Sequence, residues 1–179
     1  METRSPRRAV RAAVLTLAAA TLTGPTSATP AAAGNEANDW ARFVPAPTDW
    51  GSVRPAVPKG KGGERELHTY INEARDRRGV RKLGKRMFLV RAARRHSRYM
   101  ADTGQLVHST DLSSYVGSRD WKIIGENIGY GPSMEVLHDA FMDSPPHRRN
   151  ALDHRYKRIG VGMTLGDDGR IWVTVLFLG

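Results

Sequence analysis

The chain changes its hydrophobic rhythm once, and that change limits what it can fold into. Between residues 64 and 103 apolar side chains recur at helical spacing, whereas from residue 122 they gather mainly in short strand-like runs. Leu67, Tyr70, Ile71 and Ala74 stand at i, i+3, i+4 and i+7, the stripe of a helix that packs on one side, and Gly79 is placed to stop it. A second helix is expected from about 87 to 103. It carries Phe88, Leu89, Ala92, Ala93, His96 and Met100 on or near its inner face, and Gly104 stops it. Residues 122–130 read as a strand. Ser133 can cap a third helix from 134 to about 142, after which Ser144-Pro145-Pro146 is expected to break the chain before a short helical turn at 147–152. Residues 158–165 and 170–178 read as two strands around Gly166-Asp167-Asp168-Gly169, a hairpin signal. Helices first and paired strands last predict an α+β layered domain over 64–179, long enough for one core.

Two segments precede that domain. Arg4, Arg7, Arg8 and Arg11 lead into an uncharged run from Ala12 to Leu22, too short to cross a bilayer but suited to the apolar part of an export signal. Ala31-Ala32-Ala33 before Gly34 offers a small-residue cleavage site, so residues 1–33 are expected to be a signal peptide and the protein to be secreted, with no integral membrane span after removal. Residues 34–63 are rich in Pro and Gly without sustained periodicity, which predicts a flexible linker. Trp40, Phe43 and Trp50 within it could clip the tail to the domain or dock a wall polymer.

The absence of cysteine excludes disulfide scaffolds, Cys-ligated zinc, iron–sulfur clusters and thiol catalysis. No H-E-x-x-H, G-x-S-x-G or P-loop occurs, and Gly125-x-x-x-Gly129-x-Gly131 lacks dinucleotide-fingerprint spacing. The formal charge is +10, from 28 basic and 18 acidic residues. Loss of the four arginines and Glu2 with the signal leaves 24 against 17, or +7. Much of this excess lies between Arg75 and Arg98, either as a solvated helix surface or as a patch for an anionic polymer. No aromatic interleaving or nucleic-acid motif accompanies it, so no nucleic-acid partner is expected.

His108 follows a helix stop, where an imidazole is available. Glu126 lies in an otherwise apolar strand, where a carboxylate must find donors or a cation or else rise in pKa. His147-Arg148 follows the double-Pro turn. Two imidazoles and one carboxylate from separate segments suit a divalent ion (zinc, calcium or magnesium) held by His108, Glu126 and His147, or acid–base work by His108 and Glu126. Glu126 can equally be a structural acceptor that holds loops together. His96 and His138 read as core-edge or surface residues.

Four blocks in order carry a family resemblance: Asn72-Glu73-Ala74-Arg75 with Gly79 and Leu83; Leu89 to His108; Gly125-Glu126-Asn127-Ile128; and Ser144-Pro145-x-His147-Arg148-x-Asn150-x-Leu152 with Ile159-Gly160-Val161-Gly162 and Trp172. Together they resemble the CAP superfamily (cysteine-rich secretory, antigen 5 and pathogenesis-related 1 proteins) in its bacterial SCP-like branch. The resemblance implies a three-layer α-β-α sandwich with a cleft lined by His and acidic residues. It points to His108, Glu126, Asn127, His147 and Arg148 as cleft residues. The second Glu of the eukaryotic cleft is missing, since Ser144 stands three residues after Phe141, with Asp143 nearby. Three functions follow from the resemblance and the residues: a secreted or cell-envelope binding module for a lipid, a peptide or an anionic wall polymer; a metal-assisted or acid–base hydrolase; and an envelope-interaction protein acting through its basic helices. No nucleophile motif supports the second. Oligomeric state is left open.

Overall fold

β6 (Ile171–Leu178) is buried along its whole length, and the sequence IWVTVLFL says why: a strand covered on both faces needs apolar residues at nearly every position rather than at alternate ones. The computed structural model describes residues 13–14, 22–23 and 61–179. In chain order these form β1 (Ala13–Val14), β2 (Leu22–Thr23), α1 (Lys61–Asp76), β3 (Gly84–Lys85), α2 (Met87–Thr103), β4 (Ile123–Gly131), α3 (Met134–Asp143), α4 (Pro145–Leu152), β5 (Arg158–Leu165) and β6. β6 lies between β4 and β5, antiparallel to both, and β3 extends the sheet beside β5 in parallel. β1 and β2 lie antiparallel along β4, with Ala13 opposite Tyr130 and Leu22 opposite Ile124. The rest of the expected signal and residues 34–60 of the expected linker lie outside the described residues. Residues 61–63 belong to α1.

The strand period of two divides the core. Ile171, Val173, Val175 and Phe177 face α1, α3 and α4, in one cluster with Leu67, Ile71, Leu137 and Phe141. Leu176 and Leu178 face α2, with Leu89, Ala92 and Ala93. The result is an α-β-α sandwich, as the family resemblance implies. The α2 layer comes very close, because a Cβ at Gly160 would collide with the backbone of Leu89–Val90 and one at Gly162 with that of Ala93–Arg94. Ser97 Oγ exploits this approach, donating to Gly162 O at 3.0 Å and sharing a bond with Thr174 Oγ1.

The double proline does not break the chain for long. Pro145 and Pro146 occupy the first turn of α4, where their missing N–H groups cost nothing, so α4 starts one residue after Ser144 ends α3. The hairpin forms as expected, with Gly169 at φ +74° in its turn.

Arg75 is withdrawn from the basic surface expected between Arg75 and Arg98. It is fully buried and donates to four carbonyls: Arg81 O (2.8 Å), Ala151 O (2.9 Å), Asp153 O (3.0 Å) and Tyr156 O (3.3 Å). The guanidinium thus staples α1 to the end of α4 and to the lead-in of β5. Arg94 is also withdrawn from the patch, paired through two nitrogens with Glu64 at 2.6 and 2.5 Å. An Arg75→Met variant leaves buried carbonyls without donors and is expected to lose about 4 kcal/mol of stability in urea unfolding.

Candidate functional site

β4 is the strand from which the site is built. Its alternation sends Ile124, Glu126 and Ile128 toward α2, and Gly125, Asn127 and Gly129 toward α3 and α4. The sequence-predicted site residues are therefore split between two faces of one strand.

On the α2 face Glu126 is fully buried. Its Oε1 accepts from His108 Nδ1 at 2.8 Å and from the Ser109 backbone N–H at 2.9 Å, and its Oε2 accepts from Ser109 Oγ at 2.5 Å. His96 Nε2 stands 3.9 Å from Oε2 and 2.8 Å from Val107 O. Tyr115 OH donates to Ser109 Oγ at 3.0 Å. Burial alone would push the Glu126 carboxyl up, but the bond from His108, the proximity of His96 and the Ser109 hydroxyl outweigh it and hold the pKa below the ordinary value. An ionised Glu126 fixes His108 with its proton on Nδ1, leaving Nε2 free to accept in the neutral ring. That nitrogen is buried and has no partner.

On the other face His147 is fully buried beneath Phe141, their ring centroids 5.4 Å apart. Its Nδ1 shares a 2.7 Å hydrogen bond with Ser144 Oγ, and its Nε2 is buried without a partner. Burial first, then the charge of His108, pushes its pKa from 6.5 down to about 4, so the ring is neutral at physiological pH. The two imidazoles sense each other across β4. Asn127 donates to His147 O at 2.9 Å and accepts from Asn150 Nδ2 at 3.0 Å, while Asn150 also donates to Glu126 O at 3.1 Å. Asn127 thus positions His147 through its backbone.

Arg148 does not join them. It is exposed on α4 and borders a depression with Arg149, His154 and Arg155. Asp143 is exposed as well, and Ser144 holds the imidazole instead. His108, Glu126 and His147 are not gathered around one point either. Among the described residues no three His, Asp or Glu side chains stand where they could hold one ion. The physical reason is that both Glu126 oxygens are spent on His108 and Ser109, and strand alternation puts His147 on the opposite face. His96, Ser109 and Tyr115 were not picked out from the sequence. The inward stripe that held Ala92, Ala93 and Met100 already placed His96 on the α2 face, but nothing local marked Ser109 or Tyr115.

A sandwich of this kind, with a buried His–Glu pair anchored on β4, defines a class of small α-β-α domains. Residues 68–177 match the Cysteine-rich secretory protein family, CAP, and the chain belongs to that family, in its bacterial SCP-like branch. The Bacillus subtilis (strain 168) protein YkwD is 31% identical over 124 residues, covering 65% of this chain and 47% of its own length. The chain thus spans about half of that curated relative. An outer surface protein from Borrelia burgdorferi shares the fold at a TM-score of 0.60 and 18% identity, over 66% of this chain and 92% of its own. An extracellular SCP-domain protein from Bacillus anthracis str. Ames matches at 0.57 and 22%, over 65% and 40%. Among the described residues no helix is long and apolar enough to cross a membrane.

The depressed pKa of His147 makes stability depend on pH with a definite sign. Between pH 6.5 and 4 the unfolded chain binds a proton at this residue and the native chain does not, so stability falls as pH falls, by up to about 3 kcal/mol. Urea unfolding at pH 7 and pH 4.5 should show this loss in the parent and a markedly smaller one in His147→Gln.

Proposed function

We propose that the protein is an exported binding module that recognises its ligand, a peptide, lipid or wall fragment, at His108, the partly exposed ring beside Glu126. The observation that carries this reading is His108 Nε2, which has no partner on a ring held at Nδ1 by Glu126. Buried polar nitrogens are costly to leave unpaired, and a ligand donor or acceptor would recover that cost. Export rests on the basic, then apolar, then small-residue order of the first 33 residues, and the extracellular and outer-surface neighbours support it.

A hydrolytic reading has one observation behind it. Glu126 orienting His108 at 2.8 Å is the arrangement of a general base, its tautomer fixed by a carboxylate. Ser109 is no nucleophile for that base, because its hydroxyl is committed to Glu126 at 2.5 Å. The attacking group would have to be water.

One set of titrations separates the two. Imidazole NMR resonances of His108 and His147 are followed while a wall-peptide fragment, a fatty acid or casein is added. Binding should move the His108 ring, and His108→Ala should weaken it at least tenfold, whereas His147→Gln, on the other face of β4, should weaken it less than threefold. Turnover of casein that disappears in Glu126→Gln would replace the binding reading with the hydrolytic one, and ligands that all leave the His108 ring unmoved would overturn the binding reading.

A further inference from the structure

Two depressions meet at the entry to β5, and neither is lined by His108, Glu126 or His147. Arg81, Lys82 and Arg86 bound the first, together with Lys157 and Arg158. The second continues from the same Lys157 and Arg158 past Trp121 to Arg119 and Lys122. Asp120 is the acidic side chain on these walls, and the nearby Asp76 is spent on Lys82 at 3.3 Å. Arg81, Arg86, Lys122 and Lys157 are exposed. Lys157, Arg158, Arg119 and Lys122 lie outside the basic segment that the sequence made conspicuous, and folding brings them to it.

The backbone under these cations is fixed. Gly84 N–H donates to Lys157 O at 3.0 Å, Lys157 N–H to Leu178 O at 2.9 Å, and Lys122 N–H to Gly179 O at 3.0 Å. Arg119 is held over the Phe88 ring at 4.5 Å and donates to Val116 O at 2.8 Å. Like charges mounted side by side on rigid backbone repel, and a polyanion relieves that repulsion while releasing its own counterions.

We propose that this groove binds a linear phosphodiester polymer without bases, of the alditol-phosphate type. Its two joined depressions suit a chain that threads along them rather than a flat bilayer. Met87, Tyr99, Val107 and Leu165 are the large apolar side chains exposed on the described surface, and none lines the groove, so it offers no wedge for a membrane. Nucleic acid fits less well, because the aromatic side chain on its walls, Trp121, packs into the α2-side core and leaves no stacking platform for successive bases. Arg supplies forked donors for phosphate oxygens and Lys supplies point charges, so both modes of phosphate contact are available. The exported reading supplies only the place where such a polymer is met. Binding in a purified system stands or falls separately from it and from recognition at His108.

The test is fluorescence-anisotropy binding of the protein to labelled poly(glycerol phosphate) across a salt series. Lys122→Glu/Lys157→Glu should weaken binding at least tenfold and reduce the slope of log affinity against log salt by about 1.4, the value for two lost phosphate contacts on a flexible strand. Arg91→Glu/Arg98→Glu, an equal charge change on exposed α2 positions, should change affinity less than threefold. Thermal unfolding checks each variant. Should the charge reversal prove unstable, Lys122→Gln/Lys157→Gln carries the same test with an expected loss of at least fivefold. Equal effects of the groove and α2 variants would overturn the proposal. So would tighter binding to single-stranded DNA, to poly-glutamate or to phosphatidylglycerol vesicles than to poly(glycerol phosphate).

Discussion

A single buried guanidinium holds the rest of this domain in place. Arg75 reaches carbonyls on the loop after α1, at the end of α4 and before β5. An isolated charge in such a site would cost several kcal/mol, and the four acceptors are what make it tolerable. The consequence travels outward. Fixing the C-terminal end of α4 fixes Asn150 and His147, which lie on the same short helix as the pinned Ala151 carbonyl, and Asn150 in turn grips Glu126 O on β4. The candidate site therefore hangs on an interaction that touches none of its reactive atoms.

β4 sets the second constraint. A strand cannot present consecutive residues on one face, so Glu126 and Asn127 serve opposite layers. Glu126 orders the loop that carries His108, and Asn127 orders the helix that carries His147. What the sequence suggests as one convergent cluster from separate segments is divided between the two faces of β4. The two imidazoles are linked electrostatically, since a proton on one ring disfavours a proton on the other.

Much of the fold was legible in the residues. The stripe through Leu67, Ile71 and Ala74 and the nearly unbroken apolar run of β6 each encode which faces are covered, and Gly169 marks the hairpin. The site was legible where a residue violated its surroundings, as Glu126 does in an apolar strand. It was not legible where the deciding fact was a distance across the fold. Arg75 reads as one more surface cation until Ala151 and Tyr156 are brought to it, and Arg148 shares a motif with His147 but projects from an exposed part of α4. The proline pair misled because its missing donors break a helix interior but are harmless in a first turn.

The bare strand positions Gly160 and Gly162 have a reach beyond packing. By carrying no side chain they let α2 settle directly onto β5. The depth of that settling fixes how near His96, two residues beyond Arg94, comes to the Glu126 carboxylate. One contribution to the acidity of the buried carboxyl is thus set from β5, two strands away, by the thickness of a layer. A methyl group added at Gly160 or Gly162 would push α2 off the sheet and draw His96 away from Glu126 without altering either residue.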